Sequence, residues 1–257
     1  MDRRMDTDTL LGSNRMKTLR IDACGLQCPG PVIKIKQAID SITEGERIEM
    51  VATDAGFSRD AQAWCDTTGN RLISNSEEKG KYTVIIEKGS SKTSTMPLEH
   101  DAKGKTLIMF SDNLDKALAT FVLANGAAAT GQPVTIFFTF WGLNVIKKIA
   151  KPKTKKDIFG RMFDMMLPSS SLKLHLSKMD MFGIGNRMMR RIMKRKGIDS
   201  LETLRRQAID NGVEFIACQM SMDVMGVRRE ELLDNVTVGG VASYMERAGK
   251  ANVNLFI

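Results

Sequence analysis

The chain holds four cysteines, Cys24, Cys28, Cys65 and Cys218, and two of them share one short stretch, "CGLQCPGP", Cys24 to Pro31. A thiolate is both a nucleophile and a metal ligand. The stretch therefore admits a disulfide, a metal clip or a nucleophile with a neighbour. Cys28 stands where a loop meets a helix. Pro29 suits the first helical position, where its missing N–H would be unpaired anyway. The Cys28 sulfur would then face the positive end of the helix dipole and free backbone donors. Lys34 and Lys36 add positive charge nearby, and each effect favours thiolate over thiol. The two prolines fix the approach of the chain and should present the sulfur at the surface. The bland alternative is a buried, inert cysteine at a helix start. A Cys24–Cys28 disulfide is geometrically open. A zinc clip lacks a second pair of ligands, because Cys65, Cys218, His100 and His175 are far apart in sequence. A thioredoxin-like motif needs two intervening residues, and here there are three.

Cys218 ends the apolar run "VEFIAC" and precedes "QMSMDVMG". A strand end at the carboxyl edge of a parallel sheet is where ligand sites collect. Asp223 and the Ser221 hydroxyl lie close by in sequence. Ordinary burial of a strand-end cysteine is the competing reading. Cys65 lies mid-helix beside Trp64 and reads as packing.

The elements that must position these thiols follow from periodicity. "KTLRID" alternates as a strand. A helix from about Pro29 to Ser41 repeats Val32, Ile35, Ala38, Ile39 and Ile42 on one stripe. "RIEMVAT" is a second strand. "SRDAQAWCDTTGN" is a helix with Ser58 as N-cap and Gly69 as stop. "RLISNSEEKGKYTVIIEKG" makes two strands around a polar turn. The order β-α-β-α-β-β predicts an N-terminal two-layer α/β sandwich. Residues 90–104 have low apolar content and no period, and read as a linker. Beyond it, "KTLIMF", "VTIFFTFW", "VEFIAC" and "NVNLFI" are strands alternating with helices at 114–129, 201–210 and 240–248. That alternation predicts a C-terminal doubly wound parallel-sheet α/β/α domain. The expected division is a tail at 1–16, a domain at 17–89, the linker at 90–104, and a domain at 105–257 with a basic, Met-rich insertion at 147–200.

The chain of 257 residues is comfortable for two domains, and its composition is ordinary for a soluble protein. Few cysteines and no apolar core in the first sixteen residues predict a cytoplasmic protein without a signal peptide. Net charge is +8, yet residues 147–196 alone carry fifteen Lys and Arg against three Asp and Glu. That local balance of +12 leaves −4 for the rest. "GNRMMRRIMKRKG" sets Met188, Met189, Ile192 and Met193 on one helical face with arginines around it. Such a helix packs on its own domain or in an oligomer interface, lies on an anionic membrane, or accepts a partner helix. No RNA-binding pattern accompanies it, so nucleic acid is not an expected partner. No run reaches the roughly 20 apolar residues that span a bilayer.

"DACGLQCPGP" followed by "GFSRDAQAWCDTTGN" resembles the TusA family of small sulfur carriers, whose signature is Cys-Pro-x-Pro at a helix start. The likeness covers about Lys17 to Lys88. It implies that Cys28 carries sulfur as a persulfide, with Pro29 and Pro31 shaping the motif. Cys24 falls outside the core motif and is a candidate resolving thiol. "LIMFSDNLDKALATFVLANGAAATG" and "FIACQMSMDVMG" resemble the DsrE/DsrF/DsrH-like family in its insertion-bearing form, over about Lys105 to Ile257. That likeness implies a sulfur-relay fold in which Cys218 carries sulfur. Ser111, Asp112 and Asn113 after the first strand, and Trp141 after the second, are then candidates for the pocket wall with Ser221 and Asp223.

Together the resemblances imply a carrier or sulfurtransferase that relays sulfane sulfur as a cysteine persulfide or thiosulfonate, with no metal or organic cofactor. Its expected partners are sulfur-donor and sulfur-acceptor proteins or low-molecular-weight persulfides. A homo-oligomer through the C-terminal domain and peripheral contact with the inner face of the membrane through 147–196 complete the expectation. The competing class is a thiol-disulfide reductase or redox sensor using Cys24 and Cys28.

Overall fold

The computed structural model describes residues 18–27, 29–89, 103–150, 152, 162–163 and 165–257. Cys28, the N-terminal tail, nearly all of the expected linker and much of the basic insertion's first half lie outside the described residues. The chain forms two α/β units, each built on its own sheet.

The first unit runs β1 (Thr18–Ala23), α1 (Gly30–Ser41), β2 (Arg47–Ala52), α2 (Phe57–Thr68), β3 (Arg71–Glu78) and β4 (Lys81–Glu87). Its strand order is β1-β2-β4-β3. β1 and β2 are parallel, and β4 runs antiparallel to β2 and β3. β2 alternates between half-buried and buried positions. Its inward residues Ile48, Met50 and Ala52 pack with Ile35 and Ile39 of α1 and with Phe57, Ala61 and Trp64 of α2. Period 2 on the strands therefore meets period 3.6 on the helices across a single layer. α2 starts two residues earlier than the capping pattern predicts. Gly56 is the N-cap, and the Ser58 side chain instead turns to Asn75. The earlier start follows from the Phe57 and Asp60 amides, which already reach the carbonyls of Asp54 and Gly56.

The second unit runs β5 (Gly104–Met109), α3 (Leu114–Ala129), β6 (Val134–Phe138), α4 (Ile184–Arg195), α5 (Leu201–Asp210), β7 (Glu214–Cys218), α6 (Gln219–Met225), β8 (Val236–Gly239), α7 (Val241–Lys250) and β9 (Ala251–Phe256). All five strands are parallel, in the order β8-β7-β6-β5-β9. Every residue of β6 is buried, as a strand covered on both faces requires. Leu107, Met109, Ile136, Phe138, Phe215 and Ala217 face α3 and α5. The Phe121, Phe138 and Phe215 rings meet there at 5.4–6.4 Å. Burying each contributes about 1.5–3 kcal/mol. Ile108, Phe137, Ile216 and Cys218 face the other way, toward Tyr244 and Ala248 of α7.

The units touch along α3. Trp64 donates its indole N–H to the Ala129 carbonyl at 2.5 Å, and Ala129 joins the first unit's core. A second contact lies at Gly197. A Cβ there would stand 2.1 Å from the Gly25 carbonyl oxygen, and φ is +66°, so only glycine suits the position.

α4 corrects the reading of the basic helix. Met189 and Met193 turn inward, whereas Ile184, Met188 and Ile192 form an exposed stripe. Successive helical residues are about 100° apart, so docking through Asn186, Met189, Arg190 and Met193 splits the apolar set in two. Part of the basic charge is structural as well. Lys147 is buried, Lys148 pairs with Asp234 at 2.7 Å, and Arg190 pairs with Glu202 at 2.9 Å.

Candidate functional site

The first thiol loop follows β1. Asp22, its penultimate residue, accepts the Cys24 backbone N–H at 2.8 Å and a hydrogen bond from the Cys24 thiol. That carboxylate raises the Cys24 pKa above the ordinary thiol value by accepting the proton and by its charge, with desolvation adding to it. Cys24 is exposed and free. Thr53 closes the loop from β2 by accepting the Gly25 N–H at 2.8 Å.

α1 begins at Gly30, with Pro29 as N-cap and Pro31 in the first turn. Pro29 and Pro31 have no N–H, and Gly30 gives its own to the Gln27 carbonyl at 2.8 Å. The helix start therefore offers fewer free donors than the sequence suggests, although no acidic residue lies in its first turn. The two lysines separate. Lys34 reaches back to the Asp22 carbonyl at 3.0 Å, beside the loop. Lys36 points along the helix to Asp40 at 2.7 Å, so it adds little positive charge to the loop. Cys65 is buried, and desolvation pushes its pKa to about 12, which makes it a packing residue.

The second thiol ends β7. Cys218 is 5 % exposed and packs with Phe137, Ile216 and Tyr244. Its neighbour on β8 is Gly239, so no side chain flanks it on that side. The other expected residues gather at the same carboxyl edge in separate small networks. Ser111 and Asn113 bond to each other at 2.6 Å. Asp112 accepts from Asn144 at 2.9 Å. Ser221 meets Thr139 at 2.8 Å and is fully buried. Asp223 bonds Gln219 within α6 at 2.9 Å, on the outside. Trp141 is 41 % exposed in the 3-10 turn Phe140–Ile146 after β6. Gly142 lets that turn close on β5, since a Cβ there would be 1.9 Å from the Met109 carbonyl oxygen.

Sequence reasoning missed Asp22, Thr139 and Asn144. The Asp-x-Cys spacing was a signal for the first, and a polar residue inside the apolar run "FWGLNVI" was one for Asn144. Its Oδ1 is buried without a partner. Among the described residues, no three His, Cys, Asp or Glu side chains converge as metal ligands would. None of their helices is long and apolar enough to cross a membrane.

Fold and site define a two-domain α/β protein with one thiol-bearing loop before a helix and one thiol at a parallel-strand end. Residues 101–256 match the model of the DsrE/DsrF/DrsH-like family, and the chain belongs to that family. Residues 19–88 match the model described as Sulfurtransferase TusA. The chain is 41% identical over 160 residues to the uncharacterized protein YrkE of Bacillus subtilis, covering 62% of this chain and all of that protein. It is 36% identical to the sulfur carrier protein DsrE2 of Allochromatium vinosum, covering 61% of this chain and 99% of that protein. It is 37% identical over 68 residues to the sulfur carrier protein TusA of the same organism, covering 26% of this chain and 90% of that protein.

Proposed function

We propose that this chain is a sulfur relay that receives sulfane sulfur on Cys28 as a persulfide or thiosulfonate, with Cys218 as a second sulfur-bearing thiol. The observation that carries the reading is the pairing on one chain of two sulfur-protein matches, each containing one of these cysteines. The chemistry is attack of a thiolate on a sulfane sulfur, and its rate follows thiolate fraction and access. Pro29 and Pro31, which fix the start of α1, support Cys28 as the acceptor. The Asp22–Cys24 contact keeps the Cys24 thiol protonated, which favours Cys28 over Cys24 as the first acceptor.

Direct hand-over from Cys28 to Cys218 requires a rearrangement on this reading. The first unit is seated on α3, while Cys218 packs on the α7 side of the sheet. Intact-mass and peptide mapping after incubation with thiosulfate, polysulfide or a persulfidated protein should find one added sulfur on Cys28. A chain that takes up no sulfur from any of them overturns the reading. The redox alternative is separated by Cys24→Ser, which should spare loading but would abolish a Cys24–Cys28 disulfide cycle.

Two further expectations remain proposals. The exposed stripe Ile184, Met188 and Ile192, with Arg187 and Arg191 on the same helix, supports contact with an anionic membrane or a partner helix. β9 is an edge strand with Val253, Leu255 and Phe256 exposed, which supports self-association there. Vesicle co-sedimentation and light scattering test them in turn.

A further inference from the structure

A cleft of about 330 Å3 lies between the C-terminal end of α4 and the start of α5. Its apolar wall is Leu114, Met193, Ile198 and Leu201. Its polar wall is Lys194, Asp199 and Arg190. Arg190 is held in place by Glu202 at 2.9 Å and the Ser171 carbonyl at 3.0 Å, so that side is rigid. Asp199 accepts from Gln207 at 3.0 Å and keeps capacity for a second donor. Lys194 has no hydrogen-bond or ion-pair partner among the described residues.

Gly197 lines this cleft and is also the residue against which the Gly25 carbonyl packs. The cleft therefore opens beside the loop from Cys24 to Gln27. Cys28 follows Gly25 by three peptide links, a span of at most ~11 Å along the chain. The described loop that leads to Cys28 thus packs against Gly197, one of the residues lining the cleft.

We propose that this cleft seats a low-molecular-weight organic persulfide of amino-acid or small-peptide type, which delivers its outer sulfur to Cys28. The proposal rests on the reading of Cys28 as the sulfur acceptor. The volume falls at the lower end of small-molecule sites, about 300–1,000 Å3. The free Lys194 ammonium takes a carboxylate, and Asp199 takes the ligand's ammonium. The apolar wall takes the carbon and sulfur stem. The basic side chains on α4 that have no acidic partner among the described residues draw in a ligand of net negative charge. In the transfer, the Cys28 thiolate attacks the outer sulfur of R–S–S–H. The ligand's S–S bond breaks, and R–S⁻ leaves with the electron pair. The new S–S bond forms on Cys28, and the proton stays on the transferred sulfur. No external oxidant or reductant enters.

Calorimetric titration of the full chain with S-methylglutathione, an unreactive analogue, tests the cleft without sulfur chemistry. Saturable binding is expected, weakened about tenfold by Lys194→Glu. With glutathione persulfide as donor, the same substitution should raise the half-saturating concentration for Cys28 loading by a similar factor and leave the maximal rate unchanged. Alkylation of Cys28 by neutral iodoacetamide should not change. No binding by the unaltered chain overturns the proposal, as does equal half-saturation in the variant. A parallel fall in alkylation also overturns it, because the lysine would then act on the thiol. Failure of Cys28 to load from any donor would refute the acceptor reading instead, and the S-methylglutathione titration would still decide the cleft.

Discussion

The two thiol regions solve placement in opposite ways. Cys24 lies exposed on a loop closed by Asp22 and Thr53, and that loop leads into Pro29 and α1. Cys218 lies at the end of a central strand under Tyr244, nearly sealed from solvent. A loop at a helix start makes a thiol available and leaves electrostatics to decide its reactivity. A strand end fixes a thiol accurately but needs an opening before it can react. The lesson is that packing limits access to Cys218, whereas a charged neighbour, Asp22, tunes the exposed Cys24.

The comparison breaks first at Cys28. Cys28→Ser should abolish sulfur uptake by the first unit, as read by mass mapping, and persistence of uptake at Cys24 would erase the asymmetry. The next effect concerns access. At pH 8, Cys218 should alkylate at least ~100-fold more slowly than Cys24, since reaction waits on local opening. Equal rates would mean that the packing under α7 does not protect it. A smaller effect tests charge at the first loop. Asp22 raises the Cys24 pKa, so thiolate appears only at higher pH. Asp22→Asn should shift the alkylation profile of Cys24 to lower pH and speed the reaction several-fold at pH 8. An unmoved profile would remove Asp22 from the account. The smallest effect lies between the units. Trp64→Phe deletes the bond to Ala129 and should cost about 1 kcal/mol in a denaturant titration, while it hastens any transfer that needs the units to separate.

Much of the architecture was legible because period and punctuation agree with the fold. The α1 stripe Val32, Ile35, Ala38 and Ile39 is buried as its spacing predicts. The apolar runs at β5, β6 and β7 are central parallel strands. The site was legible only as far as its thiols and its edge. Ser111, Asp112, Trp141 and Ser221 do end up at one carboxyl edge, but Ser111, Asp112 and Ser221 are each tied into a different local bond, and Trp141 is exposed. Which face of β7 carries Cys218 depends on strand register, and period alone leaves that open when both faces are buried. The seating of Trp64 on α3 and the split of Met188 from Met189 depend on tertiary docking, which no local pattern encodes. Lys36 looked like a neighbour of the motif because sequence distance ignores helical direction.

The most direct measurement is single-turnover mass spectrometry of the intact chain after one equivalent of a persulfidated donor, with peptide mapping at successive times. The account predicts one sulfur on Cys28 at the earliest time and none on Cys65. First appearance of the sulfur on Cys218 or Cys24, or on no cysteine, would contradict it.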